Sequence, residues 1–325
     1  MIKTIAEWNE QEYLILSLPH ENTDWRPYLE EILISYEDFV KAVSEFQKVL
    51  LIGPDEYIFN QRFKKFKNVY FFQCETNDTW IRDYGAIDIY KDDKLLSLNF
   101  HFNAWGNKFD SKLDNALNKK LFDYFNNTLI DIDLILEGGS IDFNGDGVML
   151  TTTKCLLNKN RNNISKIILE NKLKKIFNLN QIIWLENGFI QGDDTDSHID
   201  ILARFIDKNT IAHCVCWDEN DEHFIELEKM KKELEKTGFK LIELPLPKPI
   251  FYEGKRLGAS YLNFVFINNA LIVPSYNDEN DDIVCDILAK ALNNKKIIKV
   301  DARVFIRQNG SLHCACQNRF KGQRI

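Results

Sequence analysis

The feature that most limits the fold of this 325-residue chain is an order of secondary-structure patterns that recurs along it. Two apolar strand patterns are followed by an amphipathic helix pattern and then by one more strand pattern. Such repetition indicates one supersecondary unit that is used several times. We therefore predict an α/β fold of repeated ββαβ units, in a single domain that extends over residues 1–325.

Four of the predicted units follow one another, and a fifth is completed across the chain termini. In the fifth unit, the strand 312–316 pairs with 13–18, a helix follows near 27–47, and a strand follows at 49–52. A further helix and strand, 55–65 and 69–73, complete the N-terminal part. Closure through the termini would remove exposed sheet edges, which otherwise tend to pair with other chains. The predicted first strands of the five units are residues 82–90, 139–143, 198–206, 261–267 and 312–316.

Ionisable and amide side chains occupy these first strands, where a core strand should be apolar. If the units are related by a pseudo-rotation axis, equivalent strand positions converge on that axis. Buried ionisable groups are costly unless they are paired, so their recurrence predicts a polar centre with a function. The residues concerned are Arg82, Asp83, Glu137, Asp194, His198, Asp200, Asn263, His313 and Cys314.

The types of residue in this set fit the hydrolysis of a guanidinium group. Asp83 and Asp200 would bind the N–H edges of the planar cation, because carboxylates pair with guanidinium groups in a bidentate manner. Cys314 would attack the central carbon as a thiolate, which needs a neighbouring cation because an ordinary thiol has a pKa of about 8.5. His198 would give a proton to the departing ammonia and take one from water. Glu137 would hold this histidine protonated and oriented.

Four motifs resemble, in this order, those of a known family. They are WIRDYG at 80–85, LEGGSIDFNGDG at 136–147, TDSHID at 195–200 and NGSLHCACQ at 309–317. Over roughly residues 8–319 the chain is similar to the agmatine deiminase and bacterial peptidylarginine deiminase family of guanidine-modifying enzymes. The resemblance implies a five-bladed α/β propeller, the pentein fold, and a hydrolase that needs no metal and no cofactor.

Carried over motif by motif, the resemblance also implies a role for each residue of the predicted centre. Cys314 matches the nucleophile, and His198 matches the general acid and base, with Glu137 as its partner. Asp83 and Asp200 match the carboxylates that bind the guanidinium group. Agmatine is then the expected substrate, with N-carbamoylputrescine and ammonia as products.

Three further residues concern the binding of the substrate. Asp194 lies four residues before the histidine, where the family has an acidic residue that faces the amine tail of agmatine. Asn263 is expected to contact the substrate, and Trp80 is either a wall of the site or part of the core. Cys316 stands where the family usually has a threonine.

Charge and composition bear on partners and compartment. The formal net charge is −8 and the isoelectric point is near 5.4, which argues against a nucleic-acid partner and fits a small cationic substrate. Glu7, Glu10 and Glu12 lie where a signal peptide would be basic and then apolar, and no apolar run approaches the roughly 18 residues of a membrane span. We predict a cytoplasmic protein without a membrane partner, and the resemblance adds an expectation of a homodimer.

Other interpretations stay open from the sequence alone. Arginine or peptidyl-arginine could replace agmatine, and a propeller could serve as a binding scaffold without catalysis. The His198-x-Asp200 spacing on one strand face would also suit a metal site.

Other motifs have a structural interpretation. The segment HCVC at 213–216 repeats the HCxC spacing, and a core strand is favoured there over a zinc site. The segment DFNGDG at 142–147 favours an Asx turn over a calcium loop. The Lys/Asn-rich stretch 158–163 is predicted to be a solvated loop, and Asp193 and Asp194 either a solvated turn or a binding element.

Overall fold

The computed structural model describes every residue from Met1 to Ile325. Its strands form five sheets of three or four strands and one two-stranded hairpin. In chain order the strands are β1 (Ile2–Thr4), β2 (Gln11–Ser17), β3 (Lys48–Gly53), β4 (Val69–Gln73), β5 (Ile87–Lys91), β6 (Lys94–His101), β7 (Leu129–Ile135), β8 (Ile141–Phe143), β9 (Val148–Thr152), β10 (Gln181–Leu185), β11 (Ala203–Asp207), β12 (Thr210–Val215), β13 (Lys240–Pro245), β14 (Phe251–Tyr252), β15 (Lys255–Arg256), β16 (Val265–Ile267), β17 (Ala270–Ser275), β18 (Lys296–Asp301) and β19 (Cys316–Phe320).

The helices are of two kinds, long ones that cover the sheets and short ones of one turn. No helix combines the length and the apolar character that crossing a membrane would require. In chain order the α-helices are α1 (Leu29–Ser44), α2 (Glu56–Ile58), α3 (Ile81–Tyr84), α4 (Ala104–Asn107), α5 (Lys112–Tyr124), α6 (Thr153–Leu156), α7 (Lys166–Phe177), α8 (Phe224–Glu235) and α9 (Asn280–Ala291). Short 3-10 turns cover Arg26–Tyr28, Gly138–Ser140, Ile199–Ile201, Tyr261–Asn263 and Phe305–Gln308, and Phe59–Phe63 is a π-helical turn.

The five sheets share one topology and are the blades of a five-bladed α/β propeller. In each blade the first strand runs antiparallel to the second, and the second runs parallel to the third, as in β11–β12–β13. A long helix connects the second and third strands of every blade. The fifth blade combines β19 from the C-terminus with β2, β3 and β4 from the N-terminus. The predicted repeat of ββαβ units and its closure across the termini are thus confirmed.

Two blades contain a strand beyond the predicted three. The fragment predicted at 69–73 is β4, which pairs in parallel with β3 as the edge strand of the terminal blade. Strand β1 adds to the first blade by antiparallel pairing with β5, and its three residues carry too short a pattern to be predicted. The helix and strand after β3 therefore extend the fifth blade instead of forming a sixth unit.

The covering helices are held by apolar residues at helical spacing. In α7 these are Leu169, Leu173 and Phe177, one helical turn apart and fully buried. Strand β12 is buried along its whole length, as expected for a central strand that is covered on both faces. Burying each large apolar side chain stabilises the fold by about 1.5–3 kcal/mol, so the blade cores fix the positions of the connections between blades.

The first strands begin later than predicted, and this changes where the polar residues lie. A single turn precedes each of the first strands β5, β8, β11, β16 and β19. These turns take the place of the beginning of the strands predicted at 82–90, 139–143, 198–206, 261–267 and 312–316, so those predicted strand starts are wrong. Their backbone bonds connect residues three apart, such as Leu202 N to Ile199 O at 3.0 Å and Cys316 N to His313 O at 3.2 Å. A strand would send adjacent side chains to opposite faces, whereas a turn lets neighbours meet on one side.

Candidate active site

The turns before the five first strands carry the polar residues of the predicted centre. Each blade supplies its residues from the same position, so the prediction that equivalent positions converge is confirmed although their location in strands is wrong. Five side chains meet there almost without exposure to solvent: Asp83, Glu137, His198, Asp200 and Asn263. Cys314 joins them from the turn before β19 and retains 8% exposure.

His198 lies between two carboxylates. Its Nε2 is 3.2 Å from Glu137 Oε2, and its Nδ1 is 3.7 Å from Asp83 Oδ1. Burial alone would lower the pKa of this histidine, but the neighbouring Asp83 carboxylate and the contacts with Cys155 and Glu137 raise it well above the usual value. His198 is therefore held as an imidazolium, as the sequence predicted from its pairing with Glu137.

Glu137 is itself fixed by Arg161, a residue that the sequence analysis missed. Arg161 Nε donates to Glu137 Oε1 at 2.8 Å, and its Nη2 donates to Oε2 at 3.2 Å. Burial would raise the pKa of Glu137, but the bonds and charges of His198 and Arg161 lower it. The stretch 158–163 was predicted to be a solvated loop, which is wrong at Arg161, because this side chain is buried behind the site.

Asp200 forms its hydrogen bonds with groups other than His198. Its Oδ2 accepts from His313 Nδ1 at 2.7 Å and from Asn263 Nδ2 at 3.3 Å. Burial would raise the pKa of Asp200, but the hydrogen bond and charge of His313 lower it. The other oxygen, Oδ1, is buried without a hydrogen-bond partner, which is unusual for a buried polar atom. His198 and Asp200 thus share a helical turn, and not one face of a strand as predicted.

Cys314 borders these carboxylates. Its Sγ is 3.3 Å from Asn263 Nδ2 and 3.7 Å from Asp200 Oδ2. Burial, followed by the charges of Asp200 and Asp83, raises the pKa of the thiol well above its usual value. The neutral thiol is therefore favoured in the empty site, and a cation bound between the two carboxylates would favour the thiolate.

Asp83 completes the cluster at the floor of the cavity. Its Oδ1 accepts from the backbone N–H of Gly139 and its Oδ2 from Trp105 Nε1, each at 2.9 Å. Burial raises the pKa of Asp83 to about 6, against the opposing charge of His198. Trp105 has φ of 54°, which is unusual for a bulky residue and places its indole N–H on the carboxylate.

A pocket of about 470 Å³ opens above the Cys314 thiol. Aromatic side chains form its walls, and both Trp80 and Asp194 line it, so the structure favours a site wall for Trp80 and a pocket position for Asp194. Asp193 instead forms the turn, because its carboxylate accepts from the backbone N–H groups of Thr195 at 3.0 Å and Ser197 at 2.7 Å. The remaining lining residues include Asp24, Trp25, Asp78, Trp105 and Phe109.

Known proteins are similar to this chain in sequence and in fold. Residues 3–319 match the Porphyromonas-type peptidyl-arginine deiminase family. The chain belongs to that family. A structure of C. jejuni agmatine deiminase, a cysteine-to-serine variant with substrate bound, is 69% identical, with a TM-score of 0.98 over 100% of this chain and 98% of that chain. Agmatine deiminase of Enterococcus faecalis is 27% identical, with a TM-score of 0.89 over 99% of this chain and 96% of that chain.

A more distant structure supports the fold alone. SxtG, an amidinotransferase from Microseira wollei, is 12% identical and superposes with a TM-score of 0.54 over 100% of this chain and 99% of that chain. Low sequence identity with a shared architecture is expected when the blade topology is kept while side chains diverge.

This member of the peptidyl-arginine deiminase family has an acidic pocket mouth that the sequence analysis only partly identified. Besides Asp194, it includes Asp24 and Asp78. Burial, together with the charges of Asp24 and Asp194, raises the pKa of Asp78 to about 7. Asp78 lies two residues before Trp80 in the first motif, which is the one signal that could have indicated it.

The other two motifs considered in the sequence lie away from the thiol. His213 and Cys214 are buried in β12, in the core strand that was favoured for them. In the segment 142–147, Asn144 Oδ1 accepts from the backbone N–H of Asp146 at 2.9 Å and of Val148 at 3.0 Å. These bonds confirm the Asx turn between β8 and β9.

Proposed function

We propose that the protein hydrolyses the guanidinium group of agmatine to N-carbamoylputrescine and ammonia through a covalent intermediate on Cys314. The observation that carries this proposal is the thiol at the base of an acidic pocket that Asp83 also lines, with Asp200 Oδ2 at 3.7 Å from the sulfur. Two carboxylates that flank a nucleophile suit a planar cation whose central carbon is the point of attack. The similarity to agmatine deiminases supports the same chemistry.

Binding of the cation prepares the nucleophile. Asp83 and Asp200 accept N–H bonds from the guanidinium group, and the positive charge offsets the two carboxylates that raise the pKa of the Cys314 thiol. The thiol then gives its proton to solvent, and the thiolate forms a bond to the central carbon. The site therefore generates its nucleophile only when a guanidinium group is present.

His198 handles the protons of the two halves of the reaction. Its imidazolium protonates the departing nitrogen, the C–N bond breaks, and ammonia leaves a cationic thiouronium group on Cys314. The neutral imidazole then takes a proton from water, and hydroxide adds to the thiouronium carbon. The C–S bond breaks to give the urea product, and the last hydroxyl proton returns to the sulfur, so the thiol is restored; the proton that the thiol gave to solvent at the start balances the conversion of the released ammonia to ammonium. Glu137 and Arg161 keep the ring in place through both halves.

The acidic mouth selects the tail of the substrate. The tail of agmatine carries only an ammonium group, whereas the tail of arginine carries an ammonium group and a carboxylate. The carboxylates of Asp194, Asp78 and Asp24 attract the ammonium group and repel the carboxylate of arginine. Arginine at the end of a peptide is the second candidate, because the family description names peptidyl-arginine. The cytoplasmic location, the homodimer and the independence from metals and cofactors stay predictions.

Replacement of the nucleophile tests the proposal. Cys314→Ala should reduce agmatine turnover by at least about a thousandfold, since the covalent route is lost while the fold remains. Cys214→Ala, in the second HCxC segment, is the matched control and should retain activity. Unchanged turnover in Cys314→Ala would overturn the assignment of the nucleophile.

Two further measurements separate the alternatives. Initial rates with agmatine, free arginine and an arginine-ended peptide should favour agmatine; a preference for the peptide would support peptidyl-arginine as the substrate. A chloroacetamidine-type guanidine mimic should alkylate Cys314 alone. Indifference of all seven cysteines, with no turnover of any substrate, would favour a binding scaffold.

A further inference from the structure

His313 has a carboxylate on each of its ring nitrogens. Its Nδ1 is 2.7 Å from Asp200 Oδ2, and its Nε2 is 2.5 Å from Glu7 Oε1. Because a carboxylate only accepts hydrogen bonds, each of these two short contacts must contain a proton. A neutral imidazole has one N–H, so with both carboxylates ionised the two contacts together require the doubly protonated ring. Burial and the charges of Arg204 and Arg82 lower the pKa of His313 against the charge of Glu7 and the hydrogen bond with Asp200, so the double protonation is assigned from the two short contacts.

Glu7 is a fixed anion from the N-terminal segment. Arg204 donates to Glu7 Oε2, and Arg82 Nη2 lies 3.1 Å from Oε1. Burial would raise the pKa of Glu7, but the charges of Arg204, His313 and Arg82 keep it well below the usual range. The position of Glu7 between two buried guanidinium groups means that its negative charge is permanently available to His313.

Glu7 and His313 together affect the orientation and the ionisation of Asp200. His313 holds Oδ2, which fixes the rotation of the carboxylate and leaves the buried Oδ1 unpartnered. Asp83 has no such partner and its pKa lies at about 6, whereas the pKa of Asp200 is lowered although both groups are fully buried. Asp200 is therefore kept ionised by His313, a buried cation that is separate from the general acid His198. Asp83 has no cation of this kind.

We propose that Glu7 and His313 are positioning residues that keep Asp200 ionised and fix its carboxylate beside the Cys314 thiol, where the guanidinium group binds. This inference rests on the proposed function. Neither residue touches the reacting atoms; His313 acts through Asp200, and Glu7 acts through His313. The charged or titratable groups that face Asp200 are His313, Cys314, His198, Arg204 and Asp83, and those that face His313 are Glu7, Asp200, Arg82 and Arg204.

Glu7→Gln tests this arrangement with little change of shape. The amide can donate to Nε2 of a neutral ring, so the bond from Nδ1 to Asp200 survives but the positive charge does not. Asp200 should then hold its proton at higher pH, because the cation that stabilises its anion is gone. Burial, no longer opposed by the cation, should raise the pKa of Asp200 above that of Asp83. We therefore expect kcat/KM for agmatine to fall about tenfold or more at pH 6 and less at pH 8, and the acidic limb, which Asp83 sets in the wild-type enzyme, to move upward by about one pH unit.

His213→Gln is the matched control, because His213 is also buried and also precedes a cysteine in an HCxC segment. Its pH profile should equal that of the wild-type enzyme. Glu7→Gln also removes an anion from Arg204 and Arg82, so its thermal stability is measured separately. A folded Glu7→Gln enzyme with a wild-type pH profile would overturn the proposal and leave Glu7 a structural role only.

A second measurement does not depend on the variant or on turnover. Nitrogen NMR of histidine-labelled wild-type protein at pH 7, with His313 assigned by difference from His313→Gln, should show both ring nitrogens protonated. A neutral ring would overturn the inference even if agmatine is the substrate. A doubly protonated ring in a protein that does not hydrolyse agmatine would instead count against the proposed function.

Discussion

At the scale of single residues, the charge of Asp194 is expected to favour substrates that carry an ammonium group at the end opposite the guanidinium group. It lines the pocket mouth, and a partly desolvated charge pair of this kind contributes about 1.5–3 kcal/mol, or roughly ten- to a hundredfold in affinity. Asp194→Asn should raise KM for agmatine much more than it lowers kcat, because the tail contact is equal in the ground and transition states. Steady-state kinetics checks this expectation.

A substrate without the amine provides the control for Asp194. Butylguanidine keeps the reacting group and lacks the ammonium, so its KM should be the same in the wild-type and Asp194→Asn enzymes. An unchanged KM for agmatine would mean that another residue of the mouth selects the tail.

The ionisation of Asp83 should set the acidic limit of activity. Burial raises its pKa to about 6, so Asp83 becomes protonated as pH falls through that value and is ionised at higher pH. Since the guanidinium group needs this anion, kcat/KM for agmatine should fall by about tenfold per pH unit below about pH 6. A profile that stays flat to pH 4.5 would contradict the raised pKa.

At the scale of elements, the turn Gly138–Ser140 brings the backbone of Gly139 so close to the site residues that no space is left for a side chain. A Cβ on Gly139 would lie 2.7 Å from His198 Nδ1, 2.9 Å from Asp83 Oδ1 and 3.1 Å from Asp200 Oδ2. Gly139→Ala should therefore displace three groups of the site and lower kcat/KM by at least about a hundredfold. Activity and thermal unfolding of the purified variant check this expectation.

Gly53 at the end of β3 is the control for this turn. An added Cβ there meets only the Phe71 ring at 3.2 Å and the Leu18 side chain at 3.5 Å, far along the blade from the thiol. Gly53→Ala should change stability slightly and kcat/KM little. Equal losses in both alanine variants would attribute the effect to general packing.

At the scale of the whole molecule, the chain ends are joined to the first blade by a buried ion pair. Arg319 of β19 donates to Asp88 Oδ1 of β5 at 2.6 Å, and neither side chain is more than 2% exposed. Arg319→Met leaves Asp88 buried and unpaired, which should cost about 3–5 kcal/mol in the free energy of unfolding. Denaturant unfolding should show this loss in a single transition if residues 1–325 form one domain, as predicted.

The sign of the pH dependence follows from Asp88. Burial already raises its pKa, and loss of Arg319 raises it further, so the destabilisation should grow as pH rises from 5 to 8. Arg303→Met is the control, because Arg303 and Asp301 are about half exposed and such pairs contribute at most about 1 kcal/mol. A separate early transition in Arg319→Met would contradict closure as one cooperative unit.

Local sequence patterns account for the blade topology and for most of the residues that meet around the thiol. The alternation of strand and helix patterns follows from local periodicity, because each blade is a contiguous ββαβ segment or closes with one terminal strand. Asp83, Glu137, His198, Asp200, Asn263 and Cys314 were selected because a polar residue at equivalent points of an apolar pattern needs a common partner.

The pairing of these groups, and the residues that support them, depend on the folded propeller and could not be predicted from local patterns. The turn before each first strand is too short to have a period, so its residues were assigned to strands. Arg161 and Glu7 carry no local pattern, since an Arg in an Asn-rich loop and a Glu near the N-terminus are usually solvated. They become buried because a distant carboxylate or guanidinium group compensates each charge, and such pairings over 24 to 306 residues exist only after the propeller has closed.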